Sequence, residues 1–221
     1  MGRSFCIPGI LILFCAFVLS FLVSISLPYL TALDITRVHI NAAASSSSAN
    51  AISQLRFGIW SYCFDAAKGG DRTCSPKGHG YSVQVQSPNG GTETIGSSWT
   101  RGLAVHPVAT AVTFVALLLS FSTHVTVTLV ASLMSFLAAL LTLIAFAIDI
   151  ALYVYVKHQM NKLNDHISTI TGPGFWLTFV SFILLLLAGC TVCFGRRRDR
   201  MSNADTYPMA STKPWYRRFR R

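Results

Sequence analysis

The chain has 221 residues, of which 12% are charged, and its mean hydropathy is +0.51. Soluble domains usually carry about a quarter charged residues, so this composition excludes an ordinary soluble domain and indicates a membrane protein. The net charge of +10 would suit a nucleic-acid-binding protein, but nine Arg or Lys against two Asp place seven of these charges in residues 195–221. Such a basic segment is typical of a cytoplasmic tail that faces lipid, so we expect no nucleic-acid partner.

The first apolar run follows a short segment, residues 1–6, that we place in the cytoplasm. Residues 7–30 carry no charge and are long enough to cross about 30 Å of hydrocarbon, so they predict transmembrane helix 1. A cleaved signal peptide is the alternative, and Ser24 and Ser26 could mimic its cleavage site. The run exceeds the usual apolar length of signal peptides, about 7 to 15 residues, which favours the transmembrane helix.

Residues 31–102 are more polar and predict an extracellular loop that contains a small antiparallel β-sheet. The stretches 34–40 and 55–64 look strand-like, and residues 81–86 alternate apolar and polar side chains with the period of a half-buried strand. The serine-rich stretch 42–50 has too little apolar surface to pack, so it predicts a flexible loop.

Two cysteines lie near the middle of this loop. Ten residues that include Gly69 and Gly70 separate Cys63 from Cys74, and such a segment can fold back and bring the two sulfur atoms together. A disulfide here would contribute about 3 kcal/mol and would place the loop on the oxidising side of the membrane. Two unpaired thiols are one alternative, and a zinc site that uses His79 is a weaker one.

The remaining apolar sequence predicts three further spans. Residues 103–156 are too long for one membrane helix, and a polar break is provided by Ser120, Ser122, Thr123 and His124. The predicted segments are transmembrane helix 2 at 103–122, a cytoplasmic turn at 123–125, transmembrane helix 3 at 126–150, an extracellular loop at 151–174, transmembrane helix 4 at 175–194 and a basic cytoplasmic tail at 195–221. Arginines directly after the last span place both termini in the cytoplasm. The predicted fold class is therefore an all-α membrane bundle of four transmembrane helices with a small extracellular antiparallel β-sheet.

Several short motifs, taken in order, resemble one known family. They are FGIWSYC, CSPKGHGY, AVHPVA at the start of the second span, FAIDIALYV at the end of the third and GFWLTFVSFILLLLAG in the fourth. Together they resemble the fungal PalI family of pH-response regulators, within the claudin-like Sur-seven/PalI group. The resemblance implies a plasma-membrane accessory protein of alkaline-pH signalling that assists a separate multispanning pH sensor. A Sur-seven-like organiser of membrane domains, or eisosomes, is the alternative.

A set of aromatic residues surrounds the Gly-x-Trp motif of the loop. These side chains form either a partner-binding face or the packing of the sheet against the helix ends, and packing is the commoner role. The set is Phe57, Gly58, Trp60, Tyr62 and Tyr81.

One acidic residue, Asp149, falls inside a predicted span. Ionisable groups within membranes are candidates for function, although an interfacial carboxylate is the simpler explanation. His106 begins the second span, and we hypothesise that it contacts Asp149. Five histidines fall on or near the outer side, where external pH could titrate them: His39, His79, His106, His158 and His166.

The cytoplasmic ends carry two further candidate sites. Cys6, Cys190 and Cys193 lie near the predicted inner membrane face, where they suit S-palmitoylation or serve as plain apolar filling. The basic residues that follow the fourth span predict contact with anionic lipid; they are Arg196, Arg197, Arg198 and Arg200.

No catalytic motif occurs in the sequence, which lacks G-x-S-x-G, H-E-x-x-H and a P-loop. We therefore expect no enzyme, no catalytic residues, no cofactor and no metal. The expected partners are the membrane and a multispanning pH sensor or other membrane proteins. A transporter is a weaker alternative, because only one ionisable residue lies well inside the spans.

Overall fold

The protein is described from a computed structural model. It describes residues 3–40, 52–66, 72–86, 91–122, 124–163 and 167–204, with side chains for all of these except residues 3–7, 125 and 192–204. The predicted flexible loop at 42–50 and the end of the tail lie outside the described residues.

Four long helices form a bundle. They are α1 (Arg3–Ser24), α4 (Val105–Ser120), α5 (Val125–Leu163) and α6 (Pro173–Ala204). Each helix packs against two neighbours, in the cyclic order α1, α4, α5, α6. Two short helices, α2 (Ser26–Tyr29) and α3 (Ser97–Arg101), flank the sheet, and a 3₁₀ turn at Gly102–Ala104 joins α3 to α4.

Among the described residues, three helical stretches are long and apolar enough to cross a membrane. They are Ser97–Ser120, which runs from α3 through the 3₁₀ turn to the end of α4, and Thr126–Leu163 and Pro173–Thr191 in α5 and α6. The apolar part of α1, Pro8–Ser24, is shorter. Many large apolar side chains on the bundle are exposed, as expected of surfaces that face lipid. Among them are Leu11, Phe14, Leu118, Leu133, Leu140 and Leu187.

Antiparallel pairing builds a five-stranded sheet at one end of the bundle. Its order is β4 (Arg72–Cys74), β3 (Tyr62–Ala66), β2 (Ile52–Phe57), β1 (Thr36–Ile40) and β7 (Ile167–Thr171). A separate hairpin pairs β5 (Val83–Gln86) with β6 (Thr92–Ile95). The predicted class, a helical bundle with a small antiparallel sheet, is confirmed.

Two boundaries around the sheet differ from the sequence prediction. The stretch 55–64 is not one strand, because Gly58–Ser61 turns the chain between β2 and β3. The first helix ends at Ser24, and the apolar residues after it pack under the sheet, with Leu27 fully buried. The alternation at 81–86 is confirmed, since Tyr81, Val83 and Val85 are buried and their neighbours are exposed.

The largest difference concerns α5, which continues well past the predicted end of helix 3 at residue 150. We expected a loop over 151–174 because Lys157 and Lys162 make this segment polar. These lysines belong to an amphipathic helix whose other face is buried at helical spacing. The buried residues are Leu152, Val156, Met160 and Leu163.

Two apolar clusters lie at opposite ends of the bundle. The sheet-end cluster joins the inner face of the sheet to the extension of α5 and includes Val38, Leu55, Phe57, Leu152 and Met160. The opposite-end cluster is rich in alanine, which lets helix backbones approach closely. It consists of Leu13, Ala16, Ala116, Leu117, Ala138, Ala139, Leu185 and Ala188.

Two glycines, Gly172 and Gly174, join the start of α6 to the residues just before β1. The Gly172 N–H donates to the Ile35 carbonyl over 2.8 Å, and the Gly174 N–H donates to the Asp34 carbonyl over 2.9 Å. A Cβ atom at Gly172 would clash with the Asp34 carbonyl oxygen, a backbone atom that cannot rotate away. The close approach therefore requires glycine.

We expect Gly172→Ala to lower the free energy of unfolding by about 3 kcal/mol, since overpacking a tight site usually costs about 1–3 kcal/mol. Thermal unfolding in detergent micelles measures the effect. Gly78→Ala is the matched control, because a Cβ there meets nothing within 4 Å. Equal melting temperatures for the two variants would contradict this account.

Candidate functional site

The Gly-x-Trp motif fastens the sheet to the end of α1. The Trp60 indole N–H donates to the Ser24 carbonyl over 2.8 Å, and this carbonyl ends the helix. The Ile59 N–H donates to the Ser26 hydroxyl over 3.2 Å. A Cβ atom at Gly58 would clash with the Leu27 side chain, so the turn needs glycine to sit this close.

The other aromatic residues of this set face the same interior. Phe57 is fully buried, and the Tyr62 and Tyr81 rings lie 5.7 Å apart. The Tyr81 hydroxyl donates to the Gly58 carbonyl over 2.6 Å, and burial raises the pKa of this phenol. These contacts give the aromatic set a packing role in the described structure, while partner binding stays a prediction.

The predicted disulfide between Cys63 and Cys74 is confirmed. The two residues pair directly across β3 and β4, with their Cα atoms 4.0 Å apart. The zinc alternative is wrong, because the bond uses both sulfur atoms. The His79 ring instead packs against the Trp60 ring, with centroids 4.7 Å apart.

The outward face of the sheet carries a network of charges. Arg37 donates two hydrogen bonds to the Asp34 carboxylate, over 2.9 and 2.7 Å, and Asp34 is fully buried. Arg72 donates two hydrogen bonds to Asp65, over 2.7 and 3.2 Å. Arg56 lies between these pairs, 3.5 Å from Asp65. The sequence analysis did not identify Asp34, whose only signal was an arginine three residues later.

The pKa values of these groups follow from their neighbours. The hydrogen bonds from Arg72 lower the pKa of the Asp65 carboxyl. Burial lowers the pKa of the Arg56 guanidinium, and the charges of Arg37 and Arg72 lower it further. Positive charge is thus crowded on this face.

The lowered pKa of Asp65 predicts acid sensitivity. Its charged form is favoured in the folded state, so its contribution to stability is complete above the unfolded pKa, about 3.9, and is lost as the pH falls through the lower folded value. In the Asp65→Asn variant, the melting temperature should therefore fall less between neutral and acidic pH than it does in the wild-type protein. Glu93→Gln, which removes a carboxylate from the β5–β6 hairpin, is the control. An unchanged pH profile for Asp65→Asn would contradict the assignment.

A layer of buried polar side chains separates the two apolar clusters of the bundle. Its members come from all four long helices. We call them the polar layer: Ser20 on α1, His106, Thr110 and Thr113 on α4, Thr142 and Asp149 on α5, and Thr178 and Ser181 on α6.

The His106–Asp149 contact expected from the sequence is present in this layer. Nε2 of His106 lies 3.0 Å from Oδ1 of Asp149, and the exposed fractions of the two side chains are 6% and 0%. The second oxygen, Oδ2 of Asp149, has no hydrogen-bond partner among the described residues. The pair therefore fixes α4 to α5 in a region with little access to solvent.

The threonines of the polar layer were not predicted as site residues. Thr113, Thr142 and Thr178 each donate to the carbonyl four residues earlier in their own helix, over 2.8 to 3.0 Å. The single hydroxyl hydrogen of Thr110 is shared between the carbonyls of His106, at 2.9 Å, and Ser20, at 3.1 Å, and the contact with Ser20 ties α4 to α1. Hydroxyls satisfied within one helix are ordinary in membrane helices, so the sequence offered no distinguishing signal.

The candidates near the other end of the bundle remain predictions. Cys190 is exposed on α6, and Cys15, which the sequence analysis overlooked, is exposed on α1. Side chains are not described for Cys6, Cys193 and the four arginines Arg196, Arg197, Arg198 and Arg200. Of the histidines proposed to sense pH, His166 lies outside the described residues.

Comparison with known proteins gives two matches. The sequence model of the SUR7/PalI family matches residues 5–189. A curated protein of Yarrowia lipolytica (strain CLIB 122 / E 150), described as pH-response regulator protein palI/RIM9, is 30% identical over 155 residues. This match covers 64% of the present chain but only 18% of the relative, so the chain spans less than a fifth of the relative's length.

Proposed function

Because the chain belongs to the SUR7/PalI family, we propose that it is a plasma-membrane accessory protein of fungal alkaline-pH signalling. The observation that carries the proposal is the similarity to a pH-response regulator over 64% of the chain. In this proposal the protein binds and assists a multispanning pH sensor and catalyses no reaction.

The proposed topology places the sheet outside the cell and both termini inside. The Cys63–Cys74 bond supports this, because disulfides persist on the oxidising side of a membrane. In this topology α1 is the fourth span. Its 22 residues give a helix of about 33 Å, which is long enough to cross the hydrocarbon. The arginines after residue 195 favour the cytoplasm for the end of α6.

The proposed mechanism is scaffolding by a sheet held rigidly on the bundle. α5 is one continuous helix whose far end packs in the sheet-end cluster. The sheet is also fastened to α1 through Trp60 and to the start of α6 through Gly172 and Gly174. A partner that contacts both the sheet and the bundle would thus meet one surface with fixed geometry.

A deletion strain of the fungal host tests the proposal. We expect poor growth at alkaline pH and less sensor at the cell surface, measured by surface labelling, with both restored by the wild-type gene. Normal alkaline growth together with a normal amount of sensor at the surface would refute the proposal. Reduced growth with normal surface sensor would place the protein's action after sensor delivery.

Organisation of membrane domains is a second candidate, favoured because the matching family also includes SUR7 proteins. The distribution of eisosome markers in the same strain separates the two functions. Scattered markers with normal alkaline growth would support the organiser, whereas intact markers with poor alkaline growth would support the signalling role.

A protease test decides the proposed topology. Tags on either terminus should resist protease added to intact cells, and a tag inserted at residues 42–50 should be cleaved. Cleavage of a terminal tag would refute the arrangement.

We also propose two features of the cytoplasmic side. The basic tail binds anionic lipid, which co-sedimentation with anionic vesicles would test. Three cysteines, Cys6, Cys190 and Cys193, are palmitoylated, which acyl-exchange labelling would test.

A further inference from the structure

We propose that the polar layer binds one water molecule in a small cavity between the four long helices. The cavity has a volume of about 10 Å³, roughly the space that one buried water requires. Every long helix contributes to its wall. The lining residues are Ser20 and Val23 from α1, His106, Ala109 and Thr110 from α4, Thr142 and Ala145 from α5, and Thr178 and Ser181 from α6.

Two hydroxyl groups at this cavity lack hydrogen-bond partners among the described residues. They are Oγ of Ser20 and Oγ of Ser181, whose residues have exposed fractions of 8% and 0%. Buried hydroxyls are nearly always hydrogen-bonded to protein or to ordered water. Because a cavity of suitable size lies beside both, a water molecule accounts for the two unpaired groups at once.

The remaining polar groups of the wall suit the same ligand. Thr142 and Thr178 donate their hydrogens to carbonyls of their own helices, so their oxygen atoms keep lone pairs that can accept from a water. Together with the two serines they supply the two to four partners that a buried water needs. A metal ion fits less well, because no carboxylate lines the cavity and hard cations prefer several oxygen ligands.

The bound water gives the bundle a polar link between α1 and α6. It would bridge the serines of α1 and α6 at the position where His106 joins α4 to α5. We therefore infer that the water stabilises the packing of α1, α5 and α6 between the two apolar clusters. This inference does not depend on the proposed signalling role.

Single alanine variants in nanodiscs test the proposal through the sign of the stability change. Ser181→Ala and Ser20→Ala should each lower the melting temperature, by about 2–4 °C, because the water loses a partner and the cavity grows. Ser135→Ala is the matched control. Its hydroxyl is also buried and unpaired among the described residues, but it does not line the cavity, so its removal should leave the melting temperature equal or higher. A rise for Ser181→Ala and Ser20→Ala like that of the control would indicate a dry cavity and overturn the proposal.

Nuclear Overhauser contacts between water and alanine methyl groups provide direct detection. The methyls of Ala109 and Ala145 line the cavity and should show water cross-peaks in the methyl-labelled protein. Ala138 is fully buried in the opposite-end cluster and should show none. Absence of the cross-peaks at both Ala109 and Ala145 overturns the proposal whatever the melting temperatures show.

Discussion

Replacing His106 by leucine is expected to lower the free energy of unfolding by about 3 kcal/mol. The change leaves the Asp149 carboxylate fully buried and without its nearest partner, and breaking a buried pair from one side typically costs about 3–5 kcal/mol. We take the lower end of that range because hydrogen bonds between membrane helices contribute less, about 0.6 kcal/mol on average. Titration with SDS in mixed micelles measures the effect.

A double-mutant cycle isolates the pair from the packing around it. His106→Leu/Asp149→Val removes both polar groups, and apolar replacement of a buried pair is often nearly neutral. We therefore expect the double variant to be more stable than the sum of the single changes predicts, by at least about 1 kcal/mol. His158→Leu, on the exposed face of α5, is the control. Additive single effects would show that the contact contributes no coupling.

Loss of the disulfide is expected to have a comparably large effect. Cys63→Ser/Cys74→Ser should lower the free energy of unfolding by about 3 kcal/mol. Removing a native disulfide from a small domain usually costs about 2–5 kcal/mol. Most of the loss should arise in β3 and β4, because β4 has only three residues and, among the described strands, pairs with β3 alone. Hydrogen exchange of the β3 and β4 amides measures this local loss.

Cys15→Ser is the matched control for the disulfide variant, because Cys15 is a free and exposed cysteine on α1. This variant should have the same amide hydrogen-exchange rates in β3 and β4 and the same melting temperature as the wild-type protein. Treatment of the wild-type protein with a reductant should reproduce the behaviour of the double serine variant. If the double serine variant matched Cys15→Ser in both measurements, the bond would contribute nothing to the stability of the sheet.

The two effects belong to different parts of the molecule. The disulfide lies on the outward face of the sheet, in register with Arg56, whereas the His106–Asp149 pair lies in the polar layer of the bundle. Substitutions in the two places share no contacts, so their free-energy changes should add. Departure from additivity would indicate that the disulfide and the buried pair are energetically coupled.

Local pattern in the sequence was sufficient to locate the long apolar helices, though not all their ends, the β5 strand and the disulfide. Long apolar runs identify helices that need no partner to satisfy their backbone hydrogen bonds. The alternation of Tyr81, Val83 and Val85 depends on the two-residue period of a strand. The short spacing of Cys63 and Cys74, with glycines between, made the bond predictable, and the motifs around Trp60 indicated the family.

Tertiary structure alone determined what joins these parts. The segment 151–174, predicted as a loop, forms the end of α5 and the edge strand β7. The helix continues because Leu152, Val156 and Met160 bury one of its faces against the sheet. The strand β7 pairs with β1, which lies far earlier in the chain, so no local pattern could predict it. The polar layer has the same origin. Each serine or threonine in an apolar helix can be satisfied by its own backbone, so only the packing of four helices decides which hydroxyls meet around a cavity.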